Sequence, residues 1–145
     1  MSSNKKKYEN GIILKVDKPI GWTSFDIVNK IRNTLKLKKV GHAGTLDPLA
    51  SGLLIVCTGK YTKKIHEYQD FDKEYIGSFV IGKTTPSHDL ETEFISSKSI
   101  KNITKEKIIK TTKTFIGNQY QIPPKFSAIK INGERAYKKA RKKEN

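Results

Sequence analysis

The sequence predicts an α+β fold, and three observations lead to this class. Apolar runs typical of buried strands, such as residues 53–57, occur among segments with apolar residues at helical spacing, such as Val28, Ile31 and Leu35. These elements follow one another without a regular strand–helix–strand alternation. The 145 residues contain no internal repeat and no linker rich in Pro, Gly or Ser, so we expect one modest domain with its own core.

The first half of the chain predicts two strands and two helices after a leader. Residues 1–10 are polar and lysine-rich, and we predict a flexible basic leader there. Thr23 stands three residues before Asp26, a spacing typical of a capping box that opens a helix. The predicted elements are a strand at 12–16, this helix running out near Leu37, a buried strand at 53–57, and a short helix at 62–68.

The second half predicts shorter and more polar elements. Gly117 provides a helix stop, and the Asn132-Gly133 pair is typical of a tight turn after a strand. The predicted elements are a strand at 75–81, an exposed loop at 85–89, a helix at 106–116, a strand at 126–131, and a basic helix at 134–143.

The charge of the chain favours a polyanionic partner. Lys and Arg number 29 and Asp and Glu number 14, which gives a formal net charge of +15. Binding to phosphates releases counterions and would use such a surface. A second interpretation stays open at this point, since only three of the basic residues are Arg and lysine richness is typical of A/T-rich genomes.

The cysteine and histidine content excludes several kinds of site. The single cysteine, Cys57, lies within an apolar run and excludes an internal disulfide. It is typical of a small buried side chain and not of a nucleophile. The three histidines show no zinc-binding spacing, so we expect no metal site. No segment is long and apolar enough to cross a membrane, and the leader lacks the apolar segment of a secretory signal, so we expect a cytoplasmic protein.

The stretch 41–52, Gly-His-Ala-Gly-Thr-Leu-Asp-Pro-Leu-Ala-Ser-Gly, is the most informative part of the sequence. It places one carboxylate, Asp47, before a proline that restricts its backbone, among glycines that permit unusual turns. His42 lies five residues upstream, and a buried strand follows directly. Taken alone, the stretch is also typical of an ordinary turn whose aspartate bonds its own backbone.

Four stretches in order resemble the tRNA pseudouridine synthase B family. The stretch around Asp47 resembles that family's catalytic motif, and the resemblance extends from about Gly11 to Arg141. The other matching stretches are residues 18–24, residues 73–75, and residues 123–130 with Gly133, Ala136-Tyr137 and Ala140-Arg141.

The resemblance implies a fold and a domain arrangement. The expected architecture is a mixed, largely antiparallel sheet with flanking helices, an incomplete version of the pseudouridine synthase fold. Residues 11–145 correspond to the N-terminal part of the catalytic domain. The family's Lys-Gly-Thr-Tyr-x-Arg strand is not found in the sequence. We therefore expect the C-terminal half, and any C-terminal RNA-binding domain, to be absent.

The resemblance also implies an activity: isomerisation of the uridine at position 55 in the T-loop of tRNA to pseudouridine. By resemblance Asp47 is the catalytic aspartate, acting either as nucleophile or as base, with no metal and no cofactor. The expected partner is the tRNA T-arm, without an obligatory protein partner. The residues after Asp47 look more like the bacterial stand-alone form than like relatives that use guide RNA.

The resemblance assigns three further residues to substrate binding. The target uridine has to be flipped out of its stack. His42 matches a histidine near the extruded base, and Tyr75 matches a tyrosine that stacks on the uracil. Lys18 matches a lysine that supports the active-site loops near the carboxylate, where a cation would keep Asp47 ionised. The alternative function is a non-catalytic tRNA-binding module left by truncation.

Overall fold

The computed structural model describes residues 2–124, 126–127 and 129–136 and divides the chain into two compact units that meet in sequence after Ile76. The first contains α1 (Ser2–Asn10), β1 (Ile13–Lys18), α2 (Ser24–Thr34), β2 (Val40–His42), β3 (Gly52–Thr58), a 3₁₀ helix (Gly59–Lys64) and α3 (Ile65–Gln69). The second contains β4 (Lys83–Thr84), β5 (Ser96–Ser97), α4 (Lys105–Lys113), β6 (Lys130–Ile131) and β7 (Glu134–Arg135). The mixture of helices with antiparallel sheets confirms the predicted α+β class.

The first unit is built on a three-stranded antiparallel sheet in the order β1-β3-β2. The apolar run predicted as a strand is β3, and it takes the central position because it has partners on both edges. Lys18 at the end of β1 pairs with Gly52, and His42 at the end of β2 pairs with Val56. This register brings the ends of β1 and β3 next to the 43–51 loop.

Helix α2 covers the sheet and closes the core. Its buried side chains, Ile27 and Val28, belong to a cluster with Leu37, Val40, Leu54 and Val56. Burying one such aliphatic side chain contributes about 1.5–3 kcal/mol. The helical spacing read from the sequence therefore identifies the face that packs on β3.

The start of α2 is the predicted capping box. The Asp26 amide donates to the Thr23 hydroxyl at 3.0 Å, and the Thr23 amide donates to the Asp26 carboxylate at 2.8 Å. The helix ends at Thr34, before the predicted end near Leu37. Lys36 adopts a left-handed φ of 50°, and this reversal turns Leu37 into the core.

The leader is helical, which corrects the expectation of a wholly flexible segment. The Thr58 hydroxyl donates to the Tyr8 carbonyl at 2.7 Å and so anchors the C-terminal end of α1. Gly59, with a φ of 53°, lies directly against the Glu9 carbonyl, where a β-carbon would overlap. These contacts join residues about 50 positions apart, so the polar local composition did not indicate them.

The strand predicted at 75–81 is wrong. The segment has no ladder pairing with the described residues, and the side chains of Ile76 and Phe79 are 96% and 94% exposed. A strand exists only when its backbone groups pair with a neighbour, so strand-like composition is insufficient without one.

The rest of the second unit consists of small elements. Helix α4 is capped by Thr104, whose hydroxyl accepts from Lys107, and it buries no side chain. The loop predicted as exposed at 85–89 instead buries Thr85 and Ser87. The predicted turn at Asn132 and Gly133 is confirmed by their positive φ values of 53° and 82° between β6 and β7.

The final helix, predicted at 134–143, is wrong at its start, because Glu134–Arg135 is strand β7. Residues 137–143 of this prediction lie outside the described residues. Across the residues that the structure describes, no helix has the length and apolar character needed to span a membrane.

Candidate active site

Asp47 lies in the loop that joins β2 to β3, and its side chain is exposed. The Ala50 amide donates to the Asp47 carbonyl at 3.0 Å, which closes a turn around Pro48. Among the residues described, none forms a hydrogen bond or ion pair with the Asp47 carboxylate. The arrangement therefore differs from the ordinary turn in which the aspartate bonds its own backbone, and the carboxylate is available to a ligand.

The residues on both sides of Asp47 are held from outside the loop. The Gly21 amide donates to the Pro48 carbonyl at 2.7 Å. On the other side, the Ser24 hydroxyl donates to the Leu46 carbonyl at 3.2 Å and accepts from the Leu46 amide at 2.9 Å. In the sequence, Ser24 belongs to the matching stretch 18–24, and its one local signal is its place at the start of the capped helix.

Lys18 is fully buried at the end of β1, so it is not an ordinary solvated lysine. Its ammonium donates to the carbonyls of Pro19 at 3.0 Å and Trp22 at 2.7 Å. It makes no ion pair with Asp47 in the described part of the chain. Instead it holds the 19–22 turn, and that turn reaches the Asp47 loop through the bond from Gly21 to Pro48.

His42 is partly buried at the end of β2, and its Nδ1 contacts the Gly44 carbonyl. A carbonyl oxygen can only accept, so Nδ1 is the donor. In a neutral ring this leaves Nε2 as an acceptor. The contact ties the imidazole to the same loop that carries Asp47.

Tyr75 comes from a different part of the first unit and faces the loop across a cavity of about 470 Å³. Its side chain is 70% exposed. The cavity is lined by loop residues including Gly44, Leu46 and Ala50, and by aromatic residues Tyr68, Phe71 and Tyr75. The structure thus brings Tyr75 to the Asp47 loop, although Asp47, His42 and Lys18 are not themselves among the lining residues.

A larger cavity of about 670 Å³ lies beside the 3₁₀ helix, at the opposite end of β3. It is lined by Lys38, Lys39, Lys60 and Lys63, and one carboxylate, Glu9, which pairs with Lys5 at 3.7 Å. Its positive charge suits phosphate groups, whereas the candidate carboxylate lies on the Asp47 loop.

Cys57 is fully buried in β3, as its apolar surroundings indicated. Burial raises the pKa of the Cys57 thiol, which disfavours the thiolate needed for nucleophilic chemistry. The first unit therefore presents the exposed carboxylate of Asp47 on a loop whose flanking residues are fixed at both sides. This carboxylate is the candidate reactive group of the site.

Comparisons with known proteins identify the family. Residues 32–145 match the family model described as TruB family pseudouridylate synthase, N-terminal domain. The chain is 52% identical over 141 residues to tRNA pseudouridine synthase B of Bacteroides fragilis, and 55% identical over 140 residues to that of Parabacteroides distasonis. These alignments cover 93% and 92% of the chain. The chain belongs to the TruB family of pseudouridylate synthases.

The chain spans about 60% of the length of these curated relatives. Among solved structures, it is similar to a chain of an H/ACA ribonucleoprotein bound to a substrate RNA containing 2′-deoxyuridine. The match has 39% identity and a TM-score of 0.41, and it covers 44% of this chain and 20% of the other.

Proposed function

We propose that this protein converts the uridine at position 55 in the tRNA T-loop to pseudouridine, with Asp47 as the catalytic carboxylate. The observation that carries the proposal is an exposed Asp47 carboxylate, without a hydrogen bond or ion pair to any residue that the structure describes, on a loop whose flanking residues are held by Gly21 and Ser24. Residues 11–145 are the N-terminal part of the catalytic domain in this proposal. A tRNA substrate also implies a cytoplasmic location.

The proposed reaction is an isomerisation and needs no oxidant, reductant, metal or cofactor. The bond from ribose C1′ to uracil N1 breaks, the base rotates, and C1′ bonds to C5. The C5 proton leaves and N1 ends protonated, so the product has the same atoms as the substrate. Asp47 serves as nucleophile towards the substrate or as base towards the sugar.

The neighbouring residues receive roles that fit their positions. Tyr75 stacks on the flipped uracil from the far wall of the cavity, where its exposed ring is available. His42 contacts the extruded base through Nε2, since Nδ1 is engaged with Gly44. Lys18 supports the turn that holds Pro48, which is a positioning role rather than contact with the base.

RNA binding is supported by the basic cavity. Its four lysines lack carboxylate partners within the described residues and outnumber the one carboxylate in the lining, Glu9, and an excess of one sign of charge in a cleft concentrates the opposite charge. We expect the logarithm of the binding constant to fall with the logarithm of salt concentration, with about one unit of slope for each phosphate contact.

Incubating the purified chain with an unmodified T-arm transcript tests the proposal. We expect pseudouridine with the wild-type chain, none with Asp47→Asn, and RNA affinity within about twofold for both, because the substitution removes a charge that only the reaction uses. Asp70→Asn, which removes another carboxylate of the first unit, is the matched control and should keep activity. Product with Asp47→Asn would contradict the role of Asp47.

The second candidate function is a non-catalytic tRNA-binding module. It is favoured by one observation, that Asp47 has no cationic partner in the described part of the chain. Salt-sensitive binding without product would support this module over the enzyme.

Substitutions at Tyr75 test base stacking. Tyr75→Leu removes the ring and should weaken binding of the T-arm by about tenfold, since stacking one base contributes about 1–3 kcal/mol. Tyr75→Phe keeps the ring and should bind within about twofold. Equal losses in both variants would argue for a hydroxyl contact instead of stacking.

A further inference from the structure

We propose that Ser24 is a positioning residue that fixes the Asp47 loop to the start of helix α2. This inference rests on the proposed catalytic role of Asp47. It assigns to Ser24 a function in presenting the carboxylate, beyond its membership of a capped helix.

The contacts of Ser24 are unusual for a first-turn serine because both go to one distant residue. Its hydroxyl donates to the Leu46 carbonyl and accepts from the Leu46 amide, 22 positions away in sequence. A hydroxyl is a small group that offers both a donor and an acceptor. The side chain is 2% exposed, so water does not compete for these bonds.

The second attachment lies on the other side of Asp47. The Gly21 amide donates to the Pro48 carbonyl, so the residues before and after the aspartate are both bonded to the 21–24 segment. That segment is held in turn by the buried Lys18 ammonium, which donates to the Trp22 carbonyl. The position of Asp47 is therefore set by the bonds from Gly21 and Ser24 and not by the loop alone.

Helix α2 gives Ser24 a rigid base. Ile27 and Val28 follow Ser24 within one turn and are buried in the core, so their packing holds this part of the helix in place. Misplacement of a reacting group by about 1 Å can reduce a rate by about 100-fold. A hydroxyl that ties the carboxylate loop to the core thus affects turnover more than RNA affinity.

The competing explanation is that Ser24 only stabilises the start of α2. Thr23→Ala is the matched control, since it removes the cap of the same helix and leaves the bonds to Leu46 in place. Ser24→Ala removes both bonds to Leu46, and Ser24→Thr keeps the hydroxyl as a conservative variant.

The first experiment is amide hydrogen exchange with NMR on the uniformly labelled chain. In Ser24→Ala we expect the Leu46 amide to exchange at least tenfold faster, relative to the core amides of β3, and the Asp47 carboxyl carbon resonance to shift. Thr23→Ala should change neither measure relative to the core. Ser24→Thr should retain the protection of Leu46.

The second experiment separates turnover from binding on the T-arm transcript. Ser24→Ala should lower kcat by about 10- to 100-fold with KM within about twofold, whereas Thr23→Ala should change neither by more than about twofold. A protected Leu46 amide with an unmoved Asp47 signal in Ser24→Ala would overturn the proposal, as would equal effects of Ser24→Ala and Thr23→Ala. Absence of product from the wild-type chain would count against the proposed function, while the exchange data would still decide the role of Ser24.

Discussion

The loop that carries Asp47 and the segment that carries Tyr75 line the same cavity but are held differently. The loop is bonded at Leu46 and Pro48 to the buried part of the first unit. The segment around Tyr75 has no ladder pairing among the described residues, and its side chains are largely exposed. The group proposed to react is therefore fixed through the core, whereas the ring proposed to contact the base is not.

The two units show the same contrast on a larger scale. The first buries an aliphatic cluster between α2 and β3. In the second, the described large apolar side chains are mostly exposed, including Phe79, Phe115 and Ile116. Burial of apolar surface is the main source of folding free energy, so we expect the stability measurable in this chain to come from the first unit.

The largest effect should come from the core beneath the Asp47 loop. Leu54→Ala should reduce the free energy of unfolding by about 2–5 kcal/mol, because Leu54 is 2% exposed in β3. Urea unfolding followed by fluorescence of Trp22, the single tryptophan, measures it. Two controls replace exposed side chains: Leu53→Ala on the same strand, where Leu53 is 63% exposed, and Phe79→Ala in the second unit, where Phe79 is 94% exposed. Each should change the free energy of unfolding by less than about 1 kcal/mol. Comparable losses at Leu53 or Phe79 would contradict the assignment of stability to the buried core of the first unit.

The next effect tests the attachment of α1 to the sheet. Gly59→Ala should cost more than about 2 kcal/mol, because left-handed strain of about 1–2 kcal/mol adds to overlap of the new β-carbon with the Glu9 carbonyl. Gly21→Ala is the control, since Gly21 has a φ of 85° and open space around it, and should show the strain alone. If Gly59→Ala and Gly21→Ala lose the same free energy of unfolding, α1 is not packed on Gly59. The leader would then be flexible, as its composition predicted.

Helix caps allow a matched comparison of the two units. Thr23→Ala should reduce the stability of the first unit by about 1 kcal/mol, because α2 is capped by that hydroxyl and buries side chains. Thr104→Ala removes the equivalent cap of α4, which buries none. We expect that loss to be confined to α4 and visible as faster amide exchange there, with the urea midpoint of the first unit unchanged. A shifted midpoint in Thr104→Ala would show that α4 supports the first unit.

The smallest effect is the pH dependence of these caps. Hydrogen bonds from the side chain and backbone of Thr23 lower the pKa of Asp26 below its usual 3.8. A lowered folded-state pKa gives stability that is present above pH 3.8 and lost as pH falls through the folded pKa. Asp26→Asn should therefore reduce the loss of unfolding free energy that occurs as the pH falls below 3.8.

Glu106 is the corresponding residue of α4. Its own backbone amide and the Thr104 hydroxyl lower its pKa in the same direction. Glu106→Gln should leave the acid dependence of the first unit as it is in the wild type. If the dependence of stability on pH is the same in Asp26→Asn as in the wild type, the Asp26 carboxylate does not stabilise α2.

Local chemistry predicted several elements correctly. The spacing of Thr23 and Asp26 predicted the capping box, because its hydrogen bonds join residues three apart. The apolar run at 53–57 predicted β3, and the Asn132-Gly133 pair predicted the turn between β6 and β7. In each case the information lies within a few residues, so the sequence carries it directly.

Predictions that needed distant partners failed or stayed incomplete. The strand predicted at 75–81 lacks a pairing neighbour, and the anchored end of α1 depends on Thr58 about 50 residues away. The roles of Asp47, His42, Tyr75 and Lys18 remain proposals from the family resemblance. Their geometry adds that Lys18 reaches Asp47 only through the backbone of the 19–22 turn.

The α+β class, the family and the candidate aspartate could all be predicted from the sequence, because they depend on patterns and motifs that are local in the chain. The way in which that aspartate is held is visible only in the folded chain. The bonds from Ser24 to Leu46 and from Gly21 to Pro48 join segments more than 20 residues apart. Such contacts form when α2 and β3 pack together, so patterns among neighbouring residues do not predict them.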